Sequence, residues 1–316
     1  MNRLGRTTVL GGSTKPNRVS RWRTVATMAI LLTATSATAQ QRSAPQPPSA
    51  EKQRMIALAV EHKTSRGLYD YLKKQANGGA PAARTIPDWT GIWTRASNPF
   101  LWDPDQGAMD APPTAKLTPE HAKLFREKLD QLSRGIEFDP LSNCAPAGMP
   151  RWLSEPFLRE FVVTSQQTWL INEMQNEIRR IYTDGRGHTP PEDAYPLWEG
   201  DSIGFWDGDK LVIHTNSMRS GQYQRPQPFY TEQVEVVEVW QKTADDTMTV
   251  DIWSYDPPAL VEPWYARVFF KKLSNADKSL RIRYWDCGEN QNNTVTQTET
   301  GSSDFKDFTF TERDDR

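Results

Sequence analysis

Four histidines, at positions 62, 121, 188 and 214, are the imidazoles this chain has for proton transfer or metal binding. His188 is the one in polar company. It closes the stretch Arg179-Arg180-Ile181-Tyr182-Thr183-Asp184-Gly185-Arg186-Gly187-His188, just ahead of Thr189-Pro190-Pro191. Two glycines make that turn adaptable, and it gathers a carboxylate, a guanidinium and an imidazole at a strand end. A carboxylate beside an imidazole orients the ring and raises its basicity, so Asp184 and His188 read as a general base. Arg180 or Arg186 would then stabilise a developing oxyanion and Tyr182 would donate a proton, in a cofactor-independent isomerisation or elimination. The competing reading makes Asp184-Gly185 a plain turn whose polar groups bond backbone. His214, inside Val212-Ile213-His214-Thr215, reads as a barrel-wall residue. His62 and His121 fall on polar helix faces and are expected to be solvated.

Other chemistries lack their signatures. Asp184 and His188 offer two metal ligands at most, and no H-x-H or H-E-x-x-H spacing supplies a third. No P-loop, dinucleotide fingerprint or G-x-S-x-G elbow is present, so no cofactor is implied. Formal net charge is -2, with 38 Lys+Arg against 40 Asp+Glu, which excludes a nucleic-acid binder driven by bulk charge. The partner this composition favours is a small molecule. Twelve tryptophans suit a bulky core or the wall of an apolar cavity. Trp206, Trp240 and Trp264 are the wall candidates, with Arg179 and Arg186 to hold a polar group. Glu238 shares a strand face with Val234, Val236 and Trp240 inside Gln233–Gln241, an inward carboxylate that needs Arg179, Arg281 or Arg283 as partner.

These residues must be positioned by a mainly β scaffold. Phe161–Thr164, Thr168–Asn172, Ile178–Tyr182, Ser202–Thr215, Gln233–Gln241, Thr247–Tyr255, Ala266–Leu273 and Leu280–Trp285 carry strand patterns separated by short polar turns. Asp207-Gly208-Asp209 marks the clearest hairpin. The series predicts an antiparallel meander that forms a lipocalin-like barrel or a strongly curved sheet. Ahead of it, residues 51–76 read as two short helices broken near Gly67. A third helix starts at Thr118-Pro119 and ends at Gly135. The expected organisation is a leader over 1–39, a linker over 40–50, a helical region over 51–135 and a β-rich domain over 136–316 that packs with 80–100.

The leader sets the compartment. Six bases and no acid fill residues 1–39, and the apolar run Thr24–Ala39 ends in Ala37-Thr38-Ala39. That pattern predicts a secretory signal cleaved after Ala39 and a periplasmic or secreted product with no stable membrane insertion. In an oxidising compartment Cys144 and Cys287, the two cysteines of the chain, are expected to pair.

Four stretches together resemble a family of exported, largely uncharacterised proteobacterial proteins. They are Pro87-Asp88-Trp89-Thr90-Gly91-Ile92-Trp93, Cys144-Ala145-Pro146-Ala147-Gly148-Met149-Pro150-Arg151, the 180–188 segment, and Gly200-Asp201-Ser202-Ile203-Gly204-Phe205-Trp206-Asp207-Gly208-Asp209-Lys210-Leu211-Val212. The resemblance runs from about Pro87 to about Asn290 and implies homology without supplying an activity. In that family a proline often follows the histidine directly, whereas here Thr189 intervenes. Gly91-Ile92-Trp93 also resembles the G-x-W opening of lipocalin-like barrels. The resulting expectation is a periplasmic protein that binds a small apolar or aromatic molecule, either as a catalyst or as a non-catalytic carrier.

Overall fold

The computed structural model describes residues 50–81, 83–96, 116–136, 139–224, 227–273 and 280–287, and the backbone of two further short strands at 295–297 and 303–305. The expected leader and almost all of the linker lie outside the described residues. Three helices, α1 (Ala50–His62), α2 (Ser65–Gln75) and α3 (Pro119–Ser133), accompany eleven strands. These are β1 (Ile92–Arg95), β2 (Arg159–Val163), β3 (Gln167–Asn172), β4 (Ile178–Tyr182), β5 (Asp201–Asp207), β6 (Lys210–Asn216), β7 (Gly221–Gln222), β8 (Phe229–Tyr230), β9 (Glu235–Ala244), β10 (Thr247–Tyr255) and β11 (Trp264–Lys272). Nine of them close into a barrel in the order β1-β11-β10-β9-β6-β5-β4-β3-β2. Strands β7 and β8 form a separate ribbon. No helix among the described residues is long and apolar enough to cross a membrane.

The barrel is the expected lipocalin-like meander with one departure. Strands β4 and β5 pair in parallel, Ile181 opposite Ser202, because the chain travels the length of residues 183–200 before rejoining the sheet. Closure falls to β1, which pairs with β11 on one side and β2 on the other. That leaves no open edge for Leu280–Trp285, and the expected strand there is instead irregular chain. It is held otherwise: the Trp285 ring meets Phe157 edge-on at 5.2 Å, and Asn176 bonds both the N–H and the C=O of Trp285. Nearby, Cys287 is disulfide-bonded to Cys144 with Cα atoms 5.8 Å apart.

The helix break also shifts. It falls at Lys63-Thr64, where the Thr64 hydroxyl caps α2 by accepting the Gly67 N–H. Gly67 sits inside that first turn because a Cβ there would lie 2.7 Å from the His62 carbonyl oxygen. Thr118 caps α3 as the sequence implied, with Pro119 in the first turn. His62 and His121 are half-buried, and the His62 ring lies 4.3 Å from that of Tyr71.

Alternation builds two cores. Inward from β9 point Val236, Glu238 and Trp240, and outward Val237 and Val239. Within the barrel, Trp89, Trp93, Phe161, Trp206, Trp240 and Phe270 pack as one aromatic cluster, with Trp240 stacked on Phe270 at 5.6 Å. The 3-10 turn Arg151–Ser154 brings Trp152 against Trp240 and Phe270. Outside, α1 and α2 cover Phe205, Val212, Val237, Trp253 and Tyr255 with Ala59, Leu68 and Tyr69. Strands β5, β6 and β10 are therefore buried on both faces, which is why their sequences read as near-continuous apolar runs.

Candidate functional site

His188 follows β4 and reaches the outer wall of the barrel beside the first turn of α2. Its Nε2 lies 2.6 Å from Nδ1 of His214 on β6. Its Nδ1 lies 3.2 Å from Asp201 Oδ2, a contact out of line for a hydrogen bond. On the far side, His214 Nε2 meets the Ser65 hydroxyl at 3.0 Å and Glu235 Oε2 at 3.6 Å, and Ser65 Oγ bonds Glu235 in turn. The result is a chain of groups running Asp201, His188, His214, Ser65, Glu235, with a carboxylate at each end.

The geometry limits how many protons this chain can hold. A ring-to-ring contact of 2.6 Å accommodates one proton between the two nitrogens, so the imidazoles cannot both be fully protonated without separating. Burial pushes the His214 ring below the usual imidazole range, against the opposing pull of Glu235. The contact with His214 holds the Glu235 carboxyl low, and the contact with His188 does the same for Asp201. His188 keeps 11% of its side chain exposed, Asp201 14% and Glu235 41%, so the chain of groups reaches solvent at both ends and more openly at Glu235.

The remaining predicted site residues do not join His188. The Asp184 carboxylate is taken by Arg186 two residues on, at 2.6–2.9 Å, and Asp201 stands at the imidazole in its place. Arg186 lies over the Tyr182 ring at 4.1 Å, and Arg180 points outward and is exposed. Arg179 turns inward instead and is fully buried against Glu238, with Nη1 and Nη2 on its two oxygens at 3.0 and 2.5 Å. Trp240 Nε1 donates to the same carboxylate at 2.9 Å. Trp206 and Trp240 are packed in the aromatic interior, and Trp264 lies in the same core with its ring 4.6 Å from that of Tyr223. Glu238 thus finds Arg179, one of the three arginines the sequence left open. Ser65, Asp201 and Glu235 were missed, although the alternation that put Val237 outward also put Glu235 there.

A second feature lies further along the same wall. Helices α1 and α2 stand off the outer face of β6, β9 and β10 to leave a cleft of about 380 Å³. Met55, Leu58, Leu72, Val212, Val239 and Trp253 line it, and Glu51, Asp207 and Lys210 add charge. The Trp253 ring is fixed there because its Nε1 donates to the Met55 carbonyl at 2.9 Å.

Fold and geometry together define a class: a closed, lipocalin-like β-barrel, an architecture compatible with holding a small ligand. No family model matches the chain, and no curated protein matches it. Among the described residues no group of three His, Cys, Asp or Glu side chains is placed to hold a metal ion.

Proposed function

We propose that this chain is an exported, periplasmic protein that binds a small, mainly apolar or aromatic molecule in the cleft between the α1–α2 pair and the outer barrel wall. One observation carries the reading: a cleft of about 380 Å³ that sets Met55, Leu58, Leu72, Val212, Val239 and Trp253 among polar and charged side chains, Asp251 and Arg267 included, within the size range of small-molecule sites. The barrel interior is filled by its own tryptophans and phenylalanines. The basic, then apolar, leader ending in Ala37-Thr38-Ala39 supports export, as does the disulfide. The four signature stretches support kinship with the exported family they resemble. The test is titration with the uncharged fluorescent probe N-phenyl-1-naphthylamine. Wild-type protein should bind one probe per chain, and Val239→Trp, which fills the cleft, should weaken binding at least tenfold while keeping the fold. Unchanged binding by that variant would refute the assignment.

The linked histidines, which lie outside the residues lining the cleft, favour a second reading, acid–base chemistry on a molecule bound beside them. In that reading His188 is the base, with Asp201 rather than Asp184 beside it, and a ligand proton reaches its Nε2 only when the contact with His214 Nδ1 opens. A ligand that emerges chemically altered from wild-type protein, but unaltered from His188→Gln, would support it. Recovery of every ligand unchanged would leave the carrier reading standing and end the catalytic one.

A further inference from the structure

Strand alternation fixes what the barrel shows to solvent as well as what it buries. On β2, β3 and β4, Phe161, Leu170 and Ile181 point inward. Glu160, Val162, Trp169, Ile171, Ile178 and Arg180 therefore point outward. The register sets these six in two rows across the sheet, Glu160 beside Ile171 beside Ile178, and Val162 beside Trp169 beside Arg180. Ile92 on β1 extends the first row beyond Glu160. Elsewhere the outer wall is covered, α1 and α2 lying over β5, β6, β9 and β10. Here Val162 is 39% exposed, Trp169 38% and Ile178 43%. Single exposed apolar side chains are ordinary, but three on adjacent strands around the half-buried Ile171 make a contiguous patch, and such patches mark contact surfaces. Trp169 holds the middle of its row, and tryptophan is among the residue types that dominate protein interfaces.

The charges identify the partner. Glu160 and Arg180 stand at diagonally opposite corners of the patch, with Val162 and Ile178 at the other two. Strands about 4.8 Å apart and same-face neighbours about 6.8 Å apart put those two charged positions roughly 12 Å from each other. Neither residue is ion-paired among the described residues. The next charge along β4 is already neutralised, since Arg186 lies over Tyr182 and holds Asp184. A two-fold axis in the plane of contact, midway between Glu160 and Arg180 and at right angles to the line joining them, lays this face on a second copy of itself. It sets Glu160 of each copy on Arg180 of the other and apolar side chains on apolar ones between. Such a contact is isologous, so the one acid and the one base of the patch are each used twice with no further group required.

We propose that the outer face of β2, β3 and β4 is a homodimer interface, in which Val162, Trp169, Ile171 and Ile178 of two copies pack together and Glu160 pairs with Arg180 of the partner subunit. The face is a different part of the barrel wall from the cleft under α1 and α2, and the proposal does not rest on ligand binding there.

Sedimentation velocity over a hundredfold range of protein concentration tests it. Wild-type protein should pass from monomer to dimer as concentration rises and stop there, because two-fold pairing uses up the face. Glu160→Arg and Arg180→Glu each bring like charges together at both contacts and should weaken the dimer at least tenfold. An equal mixture of those two variants should recover the dimer to within a few-fold of wild type, since every charge in the mixed pair meets its opposite. Trp169→Ser should also weaken the dimer at least tenfold, while melting as wild type does in dilute solution, where both are monomeric. A wild-type protein that stays monomeric throughout the range would overturn the proposal. So would a dimer that neither charge variant weakens, or a mixture no better than its components. A dilute Trp169→Ser protein that melts well below wild type would overturn it as well, by showing that another part of the same chain covers the face.

Discussion

Replacing Glu238 by Gln tests whether the polar half of the barrel interior is dry. Neither Glu238 nor Arg179 has any exposed side-chain surface. The guanidinium makes two bonds to the carboxylate, one to the Thr215 hydroxyl at 2.8 Å and one to Ser202 at 3.3 Å. Glu238→Gln keeps the shape and one acceptor but removes the carboxylate charge that Arg179 is bonded to. Breaking a buried pair from one side costs about 3–5 kcal/mol. At roughly 2–4 °C per kcal/mol for a chain of this size, the melting temperature should fall by about 6–20 °C. The double replacement Arg179→Met with Glu238→Leu removes both charges and should recover most of that loss, because the desolvation penalty disappears with the pair. Urea unfolding followed by tryptophan fluorescence reads both variants. A Glu238→Gln protein within about 1 kcal/mol of wild type, with an unchanged dependence on urea, would mean that water reaches the pair and that the reasoning about this interior is wrong.

Two further outcomes follow from the same geometry. Burial lowers the folded-state pKa of His214, so its contribution to stability is fully present above the ordinary imidazole value of about 6.5 and is lost as pH falls below it. Replacing His214 by Asn should flatten the fall of the urea midpoint just below about pH 6.5, while the loss from Asp201 and Glu235, whose carboxyls are held low, remains at lower pH. Replacing Cys144 and Cys287 together by Ser should cost about 4–5 kcal/mol, because the bridge joins residues 143 apart, and calorimetry of the two proteins measures it.

The barrel was legible wherever one strand face met a core and the other did not. Alternation from Gln233 to Gln241 placed Glu238 beside Trp240 on the inner face, and β9 is arranged that way. Legibility failed where partners come from far along the chain. The parallel β4–β5 pairing depends on how residues 183–200 return, which no local pattern encodes. Leu280–Trp285 alternates like a strand, but a strand needs an edge and β1 had closed the barrel. The site failed for the same reason. Asp184 lies near His188 in sequence, yet Arg186 is closer still and takes the carboxylate. The groups that do meet His188 arrive from β5 and β6, and Ser65 is brought to His214 across 149 residues by the docking of α2. Tryptophan density was equally ambiguous, since filled interior and ligand wall have the same composition.

Ligand binding at the outer wall is tested most directly by a crystal structure of the protein grown with N-phenyl-1-naphthylamine. Density for one probe molecule should lie between Leu58, Leu72 and Val239 and against the Trp253 ring. Probe density inside the barrel, or a crystal in which this cleft is collapsed and the probe sits elsewhere, would contradict the account.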